Sequence, residues 1–377
     1  MTSLAAMSLP NPTLRRRAVL AGLAAAPLAA AFGGRARAAE DGLVAAAVAE
    51  SGAPAIAAAV FDAEKTLFLE AAGVRAAGAE AAVTTGDLWH LGSNTKAMTA
   101  LLYARLVDQG RIPAGASLAD LLPGIALDPA YAGLRPEDLM SHAAGLGDET
   151  AMGRDWLFAA RLDQRPLPEQ RLALAVATLG APPAFPERGF HYANINFVIL
   201  GAIFEQATGR PWEDLMRDEL FGPLGMASAG FGAPQGDQPW GHLFGVAVEP
   251  RMLGADNPPA LGPAGTVHVA LEDYAKFLRL FMTEGGGLVS PEAMARIAAA
   301  PVDGDSAYRW GWMVYGQRPW ATGPALAHEG SNTMWHAVAL VAPLRRIAIV
   351  AVSNDHDKGG PAVQKLALEL IRRFAPA

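Results

Sequence analysis

The chain has 377 residues, 51% of them apolar and 18% charged, which is enough to build a large packed core. Its net charge of −7 leaves no basic stripe and argues against a nucleic-acid partner. The absence of cysteine removes thiol nucleophiles, disulfides and cysteine-ligated zinc together, and it fits an oxidising compartment.

The first 38 residues read as an address and not as part of a fold. Arg15, Arg16 and Arg17 form a basic patch, residues 18–32 are apolar and interrupted by Pro27, and Ala36-Arg37-Ala38 is a small-x-small cleavage pattern. The apolar run has 15 residues, too few to span a bilayer comfortably. Paired arginines before Ala18-Val19-Leu20 fit a twin-arginine export signal, with an ordinary Sec signal or a retained anchor as the alternatives. The expectation is an exported protein, periplasmic or secreted, whose mature chain starts near Ala39 and has no stable membrane span.

Residues 42–51 then read as a short helix. Two apolar runs, 55–61 and 66–72, flank Asp62-Ala63-Glu64-Lys65 and suggest a hairpin. Residues 94–109 carry Met98, Leu101, Leu102 and Leu106 at helical spacing, with Ala97, Ala100 and Ala104 opposite, so this helix is expected to be largely buried. A second helix is expected over 196–208, closed by Gly209 and Pro211. Residues 311–315, 336–341 and 347–352 read as strands, and Pro361 is expected to open a final helix. The pattern predicts an α/β (α+β) fold. An antiparallel sheet would be built from both chain ends (39–92 and 231–377) and flanked by terminal helices. A mostly helical subdomain, about 93–230, would be inserted between the sheet halves of a single domain spanning 39–377.

Three short motifs carry chemistry. Leu91-Gly92-Ser93-Asn94-Thr95-Lys96 contains Ser-x-x-Lys. If Ser93 starts the helix, Lys96 lies one turn on along the same face, placed to take the Ser93 hydroxyl proton when neutral. In Tyr192-Ala193-Asn194, a tyrosine acidified by nearby cations can serve as base or proton shuttle, and Asn194 can orient the lysine or donate to a substrate carbonyl. In His328-Glu329-Gly330-Ser331, Gly330 lets a substrate backbone approach a strand, and the Ser331 N–H paired with that of Ser93 forms a candidate oxyanion hole. Each motif alone is common in unrelated proteins.

Together, in this order, they resemble the penicillin-recognising serine hydrolases: class C β-lactamases, DD-peptidases, and related esterases and D-aminopeptidases. The matches are Ser-x-x-Lys, Tyr-x-Asn and (Lys/His)-x-Gly. The likeness extends to residues 138–146, to 194–209 and Phe221-Gly222-Pro223-Leu224-Gly225-Met226, to 287–292, and to Gly311-Trp312. It implies a β-lactamase/transpeptidase-like fold and a serine hydrolase acting through an acyl-enzyme, with Ser93 as nucleophile and Lys96 and Tyr192 moving protons. Asn194, His328, Gly330 and Ser331 would hold substrate and oxyanion. No cofactor or metal is implied, and the substrate would be a small molecule or a peptidoglycan-derived peptide. His328 stands where the familiar β-lactamases have Lys, which favours an ester or D-amino peptide over a carboxylate-bearing β-lactam. Glu329 would add a negative charge beside the site if it pointed inward; an outward orientation is expected.

Other chemistries fit less well. No serine has glycine at both −2 and +2, as an α/β-hydrolase elbow requires. The eight histidines are scattered, and His328-Glu329 has Asn332 where a zinc hydrolase needs its second histidine. The remaining alternative is a catalytically weak penicillin-binding-like protein with a cell-wall binding or regulatory role.

Overall fold

A computed structural model describes residues 42–302 and 304–376; the expected leader at 1–38 lies outside the described residues. Helix α1 (Leu43–Ser51) leads into strands β1 (Ala55–Asp62) and β2 (Thr66–Gly73), so the expected helix and hairpin both form. Short strands follow: β3 (Trp89–His90), β4 (Gly230–Phe231), the hairpin β5 (His242–Leu243) and β6 (Val246–Ala247), and β7 (Val267–Val269). The chain closes with β8 (Ser306–Arg309), β9 (Trp312–Arg318), β10 (Gly323–Ser331), β11 (His336–Ala342) and β12 (Ile347–Ser353).

The main sheet has seven antiparallel strands in the order β2-β1-β12-β11-β10-β9-β8. It joins the two ends of the chain: β1 pairs with β12 in a register that sets Ile56 against Ser353 and Asp62 against Ile347. Strands β1, β11 and β12 are buried on both faces, which is why they read as continuous apolar runs. The second half of this sheet begins only at Ser306. Strands β4 and β7 belong to a separate three-stranded sheet, ordered β3-β7-β4, that leads the chain into Ser93.

The last helix, α8 (His356–Phe374), starts five residues before the expected Pro361. Asp355 caps it by accepting from Lys358 N (2.8 Å), and the helix absorbs Pro361 in its second turn. The early start is tied to Gly359 and Gly360, where the helix rests on the sheet. A Cβ on Gly359 would collide with the Ser353 side chain, and one on Gly360 would lie 3.3 Å from His336 Nδ1. Together α1 and α8 cover one face, burying Val44, Val363, Leu366 and Leu370 against Ile56, Val60, Val338 and Ile349. Each such side chain contributes roughly 1.5–3 kcal/mol when fully removed from water.

The opposite face carries the larger core and the inserted helices. Among these are α2 (Thr95–Asp108), α3 (Pro136–Met140), α4 (Leu167–Leu179), α5 (Ile195–Thr208), α6 (Gly262–Gly265) and α7 (Leu271–Arg279). Helix α2 is buried on nearly every side, as its alanine-rich back predicts. Among the described residues, no helix is long and apolar enough to cross a membrane.

Candidate functional site

Ser93 sits in the middle of a single 3₁₀ turn, Gly92–Asn94, that runs straight into α2. Gly92 has φ +52°, and a Cβ there would lie 2.7 Å from Gly330 C and collide with Ser331 N. Only glycine fits both the backbone conformation and the space. The turn is pinned by buried side chains. Asn94 Nδ2 donates to Leu91 O (3.0 Å), and Thr95 Oγ1 donates to Gly92 O (2.8 Å) while accepting from Val267 N (3.1 Å).

One turn along, Lys96 is fully buried. Its Nζ donates to Ser93 Oγ (3.0 Å), Asn194 Oδ1 (2.9 Å) and Ala264 O (2.7 Å), the last at the head of the site in α6. These three acceptors are neutral groups. The nitrogen lies 4.9 Å from the centre of the Tyr192 ring, so the first two motifs meet around one amine.

Tyr192 and Asn194 precede α5. Asp148 organises this end: it accepts from Ile195 N (2.9 Å) and from Asn194 Nδ2 (3.0 Å). With its amino group held by a carboxylate, the Asn194 amide must turn its oxygen to Lys96. His142 supports the same segment from below. Its Nδ1 accepts from Ala193 N (3.3 Å) and Asn196 Nδ2 (3.1 Å), and its ring lies 4.4 Å from that of Tyr192. Burial, then the charge on Lys96 and the nearby His328, hold its pKa well below the ordinary histidine value.

The third motif arrives on β10. A Cβ on Gly330 would collide with Leu91 O and lie 2.6 Å from Ser93 N. Bare backbone therefore meets bare backbone, and the backbone nitrogens of Ser93 and Ser331 come close together at this corner. His328 is buried, and both ring nitrogens are engaged within the protein. Nε2 is 2.8 Å from Tyr308 Oη and Nδ1 is 2.7 Å from Glu329 O. A carbonyl can only accept, so Nδ1 carries the proton and Nε2 accepts from the phenol. Burial, with Lys96 nearby, pushes the His328 pKa down to about 3, so the ring is neutral. Burial and Tyr192 raise the Tyr308 phenol well above its usual value, which keeps it a donor.

Glu329 points away from this corner. On the α8 side of the sheet, its Oε2 accepts from Gln364 Nε2 (2.7 Å) and lies 3.3 Å from His336 Nε2. Neighbouring strand residues face opposite ways, so His328 and Glu329 lie on opposite faces. The charge at 329 is outside the pocket but is buried, not solvent-facing.

The structure thus brings Ser93, Lys96, Tyr192, Asn194, Gly330 and Ser331 together, with His328 behind them. The sequence reading missed Asp148, Tyr308 and the Ala264 carbonyl. Asp148 lies just past the 138–146 stretch, but no spacing rule ties it to residue 194, and backbone carbonyls leave no sequence signal. Among the described residues, no group of three or more acidic or histidine side chains is placed to hold a metal ion.

Residues 41–372 match the family model described as Beta-lactamase. Among curated relatives, penicillin-binding protein 4 of Amycolatopsis lactamdurans is 29% identical over 308 residues, covering 75% of this chain and 76% of that protein. The unguisins hydrolase ungD' of Aspergillus campestris is 25% identical, covering 77% of this chain and 56% of its own, so this chain spans only about half the length of that relative. Among solved structures, the octameric penicillin-binding protein homologue from Pyrococcus abyssi superposes with a TM-score of 0.71 at 22% identity, over 89% of this chain and 78% of that one.

Proposed function

The chain belongs to the β-lactamase family, and from that premise we propose that it is an exported serine hydrolase acting through an acyl-enzyme on an ester or D-amino peptide in preference to a β-lactam. The observation that carries the reading is the 3.0 Å hydrogen bond between the fully buried Lys96 Nζ and Ser93 Oγ. Two other acceptors, Asn194 Oδ1 and Ala264 O, hold the same nitrogen. In the neutral amine they hold two N–H bonds, and the lone pair faces the serine hydroxyl.

In the proposed sequence, Ser93 Oγ attacks the substrate carbonyl and its proton passes to Lys96. The carbonyl oxygen, now negative, takes hydrogen bonds from the backbone N–H groups of Ser93 and Ser331. Tyr192, against the lysine, relays the proton to the departing group. A water molecule then attacks the acyl-Ser93 ester, returns the serine and releases the acid. Asn194 holds the lysine and Asp148 holds Asn194.

The preference for an uncharged substrate rests on His328. A neutral ring with both nitrogens occupied supplies no cation for a carboxylate next to the reacting carbonyl. The substrate class read from this site is a small molecule or a peptidoglycan-derived peptide.

A fluorophosphonate probe tests the nucleophile. Labelling should map to Ser93, and Ser93→Ala should keep the fold and lose several orders of magnitude in turnover of p-nitrophenyl acetate. Full esterase activity in that variant would overturn the assignment and favour a binding or regulatory role. For export, N-terminal sequencing of secreted material should begin near Ala39, and Arg16→Lys with Arg17→Lys should block a twin-arginine route.

A further inference from the structure

We infer that Asp256 is a positioning residue that sets the distance between the two backbone N–H groups of the oxyanion corner. This role rests on the acyl-transfer reading above. The two groups belong to separate pieces of chain, the Ser93 turn and the end of β10. Backbone contact at Gly330 stops them from coming closer, but contact alone does not stop them from parting. Asp256 bridges the two pieces.

On one side is the buried His90, two residues before Gly92. Its Nε2 lies 3.1 Å from Asp256 Oδ2 and 3.0 Å from Oδ1, and its Nδ1 accepts from Gly92 N (3.1 Å). With Nδ1 accepting, the ring proton sits on Nε2 and is donated to the carboxylate. On the other side is Asn332, the residue after Ser331. Its Nδ2 donates to Asp256 Oδ1 (2.8 Å), while its Oδ1 accepts from Met334 N (3.2 Å) and Trp335 N (3.1 Å) and shapes the turn that ends β10. An unbroken chain of hydrogen bonds therefore runs from Gly92 N through His90, Asp256 and Asn332 to the backbone beyond Ser331.

Asp256 is itself held. Arg161 Nη2 donates to its carbonyl (3.0 Å), and the next residue, Asn257, donates from Nδ2 to Gly265 O (2.8 Å), beside the Ala264 carbonyl that receives Lys96. The loop thus touches both oxyanion segments and the residue after the lysine's acceptor, while Asp256 itself carries none of the reacting atoms. The carboxylate is needed because it must accept on both sides. An amide at 256 keeps one accepting oxygen in place of two and points a donor at His90 or at Asn332, which weakens the bridge on that side.

That asymmetry supplies the test. Asp256→Asn turns an amino group toward the ring N–H of His90 or the amino group of Asn332, and Asn332→Asp sets two carboxylates face to face. The double variant Asp256→Asn/Asn332→Asp restores one donor against one acceptor and keeps the bond to His90. Full-length wild type and the three variants are assayed with p-nitrophenyl acetate for kcat and KM, with fluorophosphonate labelling of Ser93 and with thermal melts. Each single variant should lose at least about tenfold in kcat with KM within about twofold, because donor placement acts in the transition state. The double variant should recover to within about threefold of wild type. Should Asn332→Asp fail to fold, Asp256→Ala takes its place and should show the same loss in kcat. Single variants with wild-type kcat, or a folded double variant no better than the singles, would overturn the inference while leaving the hydrolase reading intact. A wild type inert to both probe and ester would overturn the reading and the inference with it.

Discussion

Gly330 and Ser93 meet backbone to backbone: a Cβ on residue 330 would lie 2.6 Å from the Ser93 nitrogen. No heavy atom can be added at 330 without moving the serine, β10, or both. Gly330→Ala should therefore lower kcat/KM by about 100-fold or more, the range seen when one oxyanion donor is lost. Overpacking should also cost about 1–3 kcal/mol in stability. Steady-state kinetics and urea unfolding of one preparation check both. A variant with wild-type turnover would show that the N–H groups at this corner do not act on the substrate.

His328→Lys addresses the substrate class. A lysine ammonium at 328 would give a substrate carboxylate a charge-assisted bond worth about 1.5–3 kcal/mol, or roughly one to two decades in affinity. The ratio of kcat/KM for nitrocefin over p-nitrophenyl acetate should rise by about tenfold or more. A wild-type enzyme that strongly prefers nitrocefin, with no relative gain in the variant, would make β-lactams the better description of its substrates.

Asp148→Ala removes the acceptor for Ile195 N and frees the Asn194 amide to rotate. The lost cap should cost about 1 kcal/mol of stability. The larger effect should fall on kcat, since a rotated Asn194 presents a donor to the lysine in place of its oxygen. KM should change little. A fall in KM-dependent binding with unchanged kcat would place Asp148 in substrate recognition instead.

Four histidines, His142, His242, His268 and His328, have their pKa lowered, burial being the leading cause for each. The unfolded chain binds protons at these rings below about pH 6.5, and the folded chain binds them only at lower pH. Unfolding then takes up protons, so stability is complete above pH 6.5 and falls as the solution is acidified. For His328 the loss continues down to about pH 3. Its share of the slope approaches about 1.4 kcal/mol per pH unit. Urea unfolding between pH 7.5 and 5 should show the decline, and His328→Asn should flatten the slope by nearly one proton whatever its effect on stability at pH 7.

The strands and the two central helices were legible because their signal is local. Residues 55–61 and 66–72 alternate with turn chemistry, and Gly209 with Pro211 ends α5 where the pattern says it should. The start of α8 was misplaced because Pro361 reads as a first-turn residue, whereas Asp355 and the packing of Gly359 and Gly360 against the sheet decide the boundary. At the site, Ser93, Lys96, Tyr192 and Asn194 stand in motifs that the sequence displays. What holds them does not: Asp148 is 46 residues from Asn194, and Asp256 is 166 from His90. Such pairs exist only once the chain has folded. The neutral state of His328 was expected from the chemistry of imidazole, but its partner Tyr308 comes from the strand two places along in the sheet and had no marker of its own.

The pairing of β1 with β12 also governs how the molecule is made. Strand β1 leaves the ribosome long before its neighbour β12, which lies nearly 300 residues further along the chain. Until then one edge of an apolar strand, with sequence AIAAAVFD, is unpaired. Such an edge is a template for association with other chains, and closing a loop of nearly 300 residues is slow. Yield should therefore depend on how quickly nascent chains are completed and kept apart, and removal of β12 and α8 should leave an aggregating product, not a smaller active one.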